Sequence, residues 1–154
     1  MPRLTIFALF ALVLASVSAR AEAPTAVVML EHGAAPVATF KVEVATSPEE
    51  RAQGLMNREV LDPGAGMLFD YGEPTMARMW MKNTRIPLDM LFVDEGGIIR
   101  HIHAEAKPND ETPIATPVPV RWVLEIPGGR AAQLKLQEGD RMKVTTPPAK
   151  PTIP

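Results

Sequence analysis

The residues best suited to chemistry lie in one stretch, residues 79–94, with the sequence MWMKNTRIPLDMLFVD. It combines an indole, cations, an amide and two carboxyl groups with a nearly continuous apolar run. A buried strand usually carries fewer polar groups, and a surface loop carries fewer apolar ones. The stretch is therefore the first place to look for a site.

Alternation along a strand sorts the start of this stretch. Side chains point alternately to opposite faces, so Trp80 and Lys82 share a face with Arg78, and Met79 and Met81 share the other. A tryptophan between two cations could act as a stacking platform for a sugar or an aromatic ligand. Alternatively, the cations form a solvated cap over the indole, which itself covers the core.

Asp89 lies inside the run 88–93, where apolar residues on both faces predict a strand that is covered on both sides. A buried carboxyl group needs a cation or several backbone N–H donors. It could act as a general acid or base, or it could hold the turn at 83–87, and the turn-like sequence there favours the structural role. The candidate cationic partners are Lys82, Arg85, Arg51 and Arg58.

Glu125 is a second carboxyl group within an apolar run, at 123–126. Two carboxyl groups at one site would resemble a hydrolase pair, so Asp89 and Glu125 are the candidate catalytic residues of an enzyme hypothesis. The sequence contains no G-x-S-x-G, Gly-rich phosphate loop or H-E-x-x-H pattern. The hypothesis requires the two carboxyl groups to lie close together on one face.

Two further patterns could supply metal ligands. His101-x-His103 resembles part of a cupin site, but the later Glu and His that a cupin needs are missing. Met76, Met79 and Met81 offer thioethers, which together with Trp80 and a histidine suit Cu(I), so a periplasmic copper carrier is a further alternative. Methionines also fill cores without any metal. We expect neither a metal nor a cofactor.

The N-terminus has the features of an export signal. Arg3 precedes a short apolar run at 5–17, and Ala19-Arg20-Ala21 predicts cleavage after residue 21. The run is shorter than the roughly 20 residues that span a membrane, so we expect a periplasmic or secreted protein without a stable membrane anchor. Loss of Arg3 and Arg20 changes the formal charge from −2 to −4, which disfavours nucleic acid as a partner. The absence of cysteine excludes thiol catalysis and disulfides.

The elements that must position these residues are mostly strands. Ser47, Pro48 and Glu50 predict a helix with a capping box over 48–53, ended by Gly54. A hairpin turn is predicted at 94–97, a long extended loop at 108–119 and a helical turn at 131–136. The predicted strands are 26–30 at a sheet edge, 40–44, 66–69, 77–82, 88–93, 98–103, 120–126 and 142–145.

This pattern predicts a mainly β protein, a compact antiparallel β-sandwich or barrel with one short helix. After the signal peptide at 1–21 we expect a lead-in at 22–38 and a single domain at 39–146. A proline-rich tail at 147–154 has little to bury, and we expect it to be disordered.

Several sequence blocks occur in a characteristic order: R-x-x-G-L-M-x-R at 51–58, G-M-L-F at 66–69, W-M-K-N-T-x-I-P-L-D at 80–89, A-K-P at 106–108, V-L-E at 123–125 and G-D-R at 139–141. Together they resemble the bacterial and archaeal family called domain of unknown function 192 (DUF192). The resemblance covers about 40–144 and implies a compact, jelly-roll-like β fold. It implies no particular reaction.

We therefore expect an exported binding or accessory module rather than an enzyme. Its ligand would be small and anionic or sugar-like, or its partner would be a cell-envelope protein. The expected recognition surface comprises Trp80, Lys82, Asn83, Asp89, Arg51 and Arg58, with Glu125 as a neighbour.

Overall fold

The structure, a computed structural model, describes residues 24–145. The predicted signal peptide and the proline-rich tail lie outside the described residues. The elements in chain order are β1 Thr25–His32, β2 Ala35–Ala45, α1 Pro48–Gln53, β3 Ala65–Thr75, β4 Arg78–Met79, β5 Leu88–Val93, β6 Ile99–Ala106, β7 Ile114–Ala115, β8 Val120–Pro127, α2 Arg130–Gln133 and β9 Arg141–Thr145.

Seven strands form one sheet in the order β6-β5-β8-β3-β2-β1-β9, and β4 pairs with β7 in a small second sheet. The prediction of a mainly β fold is confirmed. The large sheet is mixed, because β2 and β3 are parallel and are joined by a crossover at 46–64 that contains α1. A single bridge, Ile98–Arg141, links the β5–β6 connection to β9, and the sheet is not closed as a barrel.

The large sheet is covered on both faces, which explains why all six residues of β5 are buried. One face, the strand core, takes side chains from all seven strands, including Leu30, Phe40 and Leu91. The other face, the loop core, joins β3, β5 and β8 to connecting segments through residues such as Leu55, Met79 and Met81. The surroundings of a strand residue therefore depend on which face of the sheet its side chain occupies.

Helix α1 has the predicted bounds because its first turn is capped. The Glu50 N–H donates to Ser47 Oγ at 3.1 Å, and the Ser47 N–H donates to Glu50 Oε2 at 2.9 Å, which is the predicted capping box. Gly54 ends the helix at φ 47°, and a Cβ there would lie 3.1 Å from Phe69 Cζ. The glycine lets the end of α1 pack closely on β3.

Several elements differ from their predictions. The helical turn predicted at 131–136 is the short helix α2 Arg130–Gln133, so the described chain has two helices rather than one. The predicted loop at 108–119 contains β7, and β2, β3 and β6 are longer than predicted. The predicted strand 77–82 contains only Arg78–Met79, because the Met81 N–H donates to the Asp110 carbonyl at 2.8 Å and a turn follows. The first strand is longer than predicted and lies between β2 and β9 rather than at an edge. Residues 25–38, predicted as a lead-in, form β1 and the start of β2.

Candidate ligand-binding site

Glu125 lies in the middle of β8 with its side chain on the loop-core face. It stands opposite Met90 of β5 and Met67 of β3, and only 4% of the residue is exposed. The glycine at position 66 lets β3 approach β8 closely at this point, because a Cβ there would overlap the Glu125 carbonyl oxygen. The sheet therefore holds a carboxyl group between apolar neighbours.

A small recess, here called the Glu125 recess, opens beside this carboxyl group. Its volume is about 20 Å³, enough for one water-sized group. Its walls come from the end of α1 and the following turn, from β3 and from the chain after β4. The lining residues are 51–56, Phe69, Met79, Trp80, Lys82, Thr84 and Glu125.

Within the described range 24–145, no residue forms a hydrogen bond or ion pair with the Glu125 carboxyl group. The one buried polar side-chain atom there without a partner is Arg130 Nε, so the Glu125 oxygens keep contact with solvent at the recess. Burial raises the pKa of Glu125 to about 8. The group is therefore mainly protonated at neutral pH, and a protonated carboxyl can donate one hydrogen bond and accept others.

Cations lie at the rim of the recess. Arg51 donates to the Asp70 carbonyl at 3.2 Å and also to the Thr46 carbonyl, and its guanidinium lies 4.9 Å from the centre of the Tyr71 ring. Lys82 Nζ lies 5.3 Å from the centre of the Trp80 ring, and Trp80 remains 46% exposed. The recess thus combines a neutral acid at neutral pH with a positively charged rim.

Asp89 is fully buried, and both oxygens of its carboxylate accept hydrogen bonds from backbone N–H groups. Its Oδ1 accepts from the N–H groups of Glu105 at 2.8 Å and Gly129 at 3.0 Å. Its Oδ2 accepts from the Ala131 N–H at 2.7 Å. Asp89 therefore has the structural role of holding backbone segments together. The segments that it holds are β6 and the start of α2 rather than the expected turn at 83–87.

None of the four cations considered as partners pairs with Asp89. Arg58 pairs with Glu43 at 2.6 Å, and Arg85 pairs with Glu59 at 3.0 Å. Arg51 and Lys82 lie at the recess on the loop-core face. Of the two kinds of partner expected for Asp89, a cation or several backbone N–H groups, the structure has the second.

The structure separates the two acids of the enzyme hypothesis. Asp89 stands opposite Ile126 in the β5–β8 ladder, whereas Glu125 stands opposite Met90. Successive side chains alternate, so the two carboxyl groups lie on opposite faces of the sheet. The hydrolase hypothesis therefore fails its own geometric requirement, and the two acids cannot act as a catalytic pair.

The candidate metal ligands Met79, Met81 and His101 pack or hydrogen-bond with other residues of the described chain. Met79 and Met81 are buried in the loop core, where Met79 Sδ accepts from the Tyr71 hydroxyl at 3.4 Å. His101 packs 5.8 Å from Phe92 and contacts Glu138 at 3.1 Å. Within residues 24–145, no group of three or more His, Asp or Glu side chains is arranged to hold a metal ion.

Half of the predicted ligand-binding residues meet at the Glu125 recess. Trp80, Lys82 and Arg51 line it. Asn83, which has φ 53°, lies in the turn beyond, and Arg58 and Asp89 have the other contacts described above. Sequence reasoning missed Met56, Phe69 and Thr84, because nothing in the local sequence connects these segments to Glu125.

The fold and the recess define a mainly β protein with an unpaired buried acid beside an exposed tryptophan. The family model DUF192, described as Uncharacterized ACR, matches residues 28–144. The chain therefore belongs to the DUF192 family. None of the curated proteins compared matches it. Among residues 24–145, no helix has the length and apolar character needed to cross a membrane.

Two crystal structures are similar to this chain. A Sinorhizobium meliloti 1021 protein, described provisionally as a transcription regulator, is 41% identical, and the match covers 79% of this chain and 95% of that one with a TM-score of 0.77. A Novosphingobium aromaticivorans DSM 12444 protein of unknown function is 39% identical, with coverages of 77% and 84% and a TM-score of 0.74.

Proposed function

We propose that this chain is an exported binding module whose ligand contacts the Glu125 recess. One observation carries the proposal: Glu125 is a buried carboxyl group that has no partner among the described residues and lines an open recess. Burying such a group is unfavourable for folding. A buried acid with a perturbed pKa in a cleft is a typical mark of a functional site.

The chemistry of the recess favours a ligand with an acceptor atom. Protonated Glu125 can donate to a hydroxyl, carbonyl or carboxylate oxygen. The rim cations Arg51 and Lys82 disfavour a positively charged ligand and favour an anionic or neutral one. The recess admits one small group, so the rest of the ligand would lie against Trp80.

The same lining favours binding over catalysis. Among the described residues that line the recess, Glu125 is the only carboxyl group, and there is no histidine or serine. General acid–base chemistry usually needs a second group with a complementary role. The export part of the proposal rests on the apolar run at 5–17 and the Ala19-Arg20-Ala21 pattern.

An amide NMR titration of the chain 22–154 near neutral pH tests the binding site. The probes are acetate, glucose and glucuronate, which separate the charge from the sugar ring. We expect glucuronate to shift the amides of 53–56 and 80–84 and the Trp80 indole. Glu125→Leu should weaken its binding about tenfold, since a hydrogen bond is lost.

The control is Glu73→Gln, which changes an exposed acid on β3 and should leave binding unchanged. The binding proposal fails if none of the probes shifts these amides, or if Glu125→Leu binds glucuronate as well as the wild type. Export has its own test, the denatured mass of protein recovered from the periplasm. A mass that begins at residue 22 supports it, and an intact N-terminus contradicts it.

A further inference from the structure

One larger cavity adjoins the Glu125 recess, and a second lies beyond it. The first, here called the Trp80 shelf, has a volume of about 300 Å³ and is lined by Arg78, Met79, Trp80 and Pro113. The second, here called the His103 groove, has a volume of about 480 Å³. Its polar lining comprises His101, His103, Glu105, Lys107, Asp110 and Thr112.

The three cavities share walls in a fixed order. Met79 and Trp80 border both the Glu125 recess and the Trp80 shelf. Pro113 borders both the Trp80 shelf and the His103 groove. A compact ligand would fill only one of these spaces. An elongated molecule could reach from Glu125 across Trp80 and into the groove.

The His103 groove offers unused hydrogen-bonding side chains of both charges. Within the described part of the chain, the side chains of His103, Glu105 and Lys107 make no hydrogen bond or ion pair. Asp110 is exposed and already bonded to Thr112, whose N–H donates to its carboxylate at 2.8 Å. Mixed donors and acceptors suit hydroxyl groups, which can both donate and accept.

We infer that the ligand is an oligosaccharide, with one end in the Glu125 recess, a ring against Trp80 and further rings in the His103 groove. The inference rests on the proposed binding function and extends it to a ligand class. Trp80 is 46% exposed. A sugar ring can stack on the part of the indole that Lys82 Nζ, 5.3 Å from the ring centre, does not cover. The groove supplies the polar side chains that hold the hydroxyl groups.

The edge strand beside the groove is poorly suited to bind an extended peptide as a ligand. β6 is an edge strand, but its pairing with β5 is irregular at two places. Glu105 has φ 50°, and its N–H is already held by Asp89. Bulges and charged side chains blunt a sheet edge against the addition of another strand. Recognition by side chains therefore fits this edge better than recognition by backbone pairing.

The test compares hexasaccharides with their own monosaccharides on the chain 22–154. The probes are cellohexaose, maltohexaose and the hexamer of N-acetylglucosamine, followed by calorimetry and amide NMR. We expect at least one hexamer to bind about tenfold or more tightly than its monomer. Its amide shifts should include 101–105 and 110–115 as well as the residues of the Glu125 recess.

Two variants locate the rings. Trp80→Ala should weaken both the hexamer and the monomer, and His103→Ala should weaken the hexamer alone. His32→Ala is the matched control, because His32 contacts Asp140 at 2.8 Å and does not line the groove. Amide spectra of each variant show whether it is folded.

The outcomes separate the two proposals. If hexamers bind no more tightly than monomers and shift only the recess, the oligosaccharide inference is overturned and the binding function stands. If no saccharide shifts the recess but acetate does, the inference is again overturned in favour of a small anion. If no probe shifts the recess, both proposals fall.

Discussion

Two buried acids on adjacent strands have opposite environments. Asp89 and Glu125 are 0% and 4% exposed, and they stand one register position apart in the β5–β8 ladder. Asp89 accepts three backbone hydrogen bonds on the strand-core face. Glu125, on the loop-core face, has no partner among the described residues and lines a recess. Burial alone therefore does not distinguish the two acids, whereas their hydrogen-bond partners do.

The difference has an energetic meaning. Three donors compensate Asp89 for the loss of water, so its burial connects β5 to β6 and α2. Glu125 lacks this compensation and takes up a proton instead. A local conflict between burial and hydrogen bonding is one of the features found at functional sites. Arg130 Nε is buried and likewise has no partner among the described residues.

Removal of the Asp89 side chain should have the largest effect. Asp89→Ala leaves the N–H groups of Glu105, Gly129 and Ala131 without their acceptor; the Ala131 bond is buried and the other two are partly buried. At about 1–3 kcal/mol for each unsatisfied group, the free energy of unfolding should fall by about 5 kcal/mol. Urea denaturation measures the loss, and amide exchange should show faster opening at these three positions.

Asp110→Ala is the matched control for this loss. Asp110 also accepts a backbone N–H, but it is exposed, so water can replace the bond and the expected cost is below about 1 kcal/mol. Equal losses for the two variants would contradict the assigned role of Asp89. Asp89→Asn should lie between them, because its amide group can replace only one of the two oxygens.

The second prediction concerns the pH dependence that Glu125 confers. Burial raises the pKa of Glu125 from its ordinary 4.5 to about 8, so between these pH values the folded protein holds a proton that the unfolded chain has lost. The free energy of unfolding must then fall as pH rises through this window, by about 1.4 kcal/mol per pH unit. The contribution is fully present below about pH 4.5 and is lost above about pH 8.

Glu125→Gln should abolish this contribution, because the amide does not titrate. Near pH 9 the variant should be more stable than the wild type by roughly 4 kcal/mol, and near pH 4.5 the difference should almost vanish. Urea denaturation across the window measures it. Glu73→Gln, which changes an exposed acid, should show no such trend. A constant difference between Glu125→Gln and the wild type at all pH values would show that Glu125 does not titrate in this window.

Local sequence patterns predicted the parts of the fold that depend on neighbouring residues. The helix bounds followed from Ser47, Pro48 and Glu50, and the buried β5 followed from its apolar run. The pattern of many short strands predicted the β class, and the family resemblance implied a β fold as well. The alternation at 79–82 predicted that Trp80 and the two methionines lie on opposite faces. Met79 and Met81 are buried and Trp80 is exposed, although only two residues there form a strand.

The contrast between the two acids could not be predicted in this way. Whether Glu125 and Asp89 lie on the same face of the sheet depends on the register between β5 and β8. That register is set by packing of the whole sheet. The Glu125 recess joins residues 51–56, 80–84 and 125, which are distant in sequence. The donors for Asp89 lie 16, 40 and 42 residues away. Long-range contacts of this kind leave no local pattern.

The smallest predicted loss of stability, the controls aside, comes from a change at the start of α1. It should affect Glu125 on the loop-core face and leave Asp89 on the strand-core face unchanged. Ser47→Ala removes the side-chain half of the capping box and should lower the free energy of unfolding by about 1 kcal/mol. Helix α1 forms part of the recess wall, so its loosening should admit water and lower the pKa of Glu125, which NMR of the carboxyl carbon can measure. The amides that Asp89 holds should keep their exchange protection, since they lie on the other face. Ser47→Asn, which keeps a capping acceptor, should restore both the stability and the raised pKa. If Ser47→Ala left the pKa unchanged, the packing of β3 and β8 alone would bury Glu125, and α1 would not contribute to its environment.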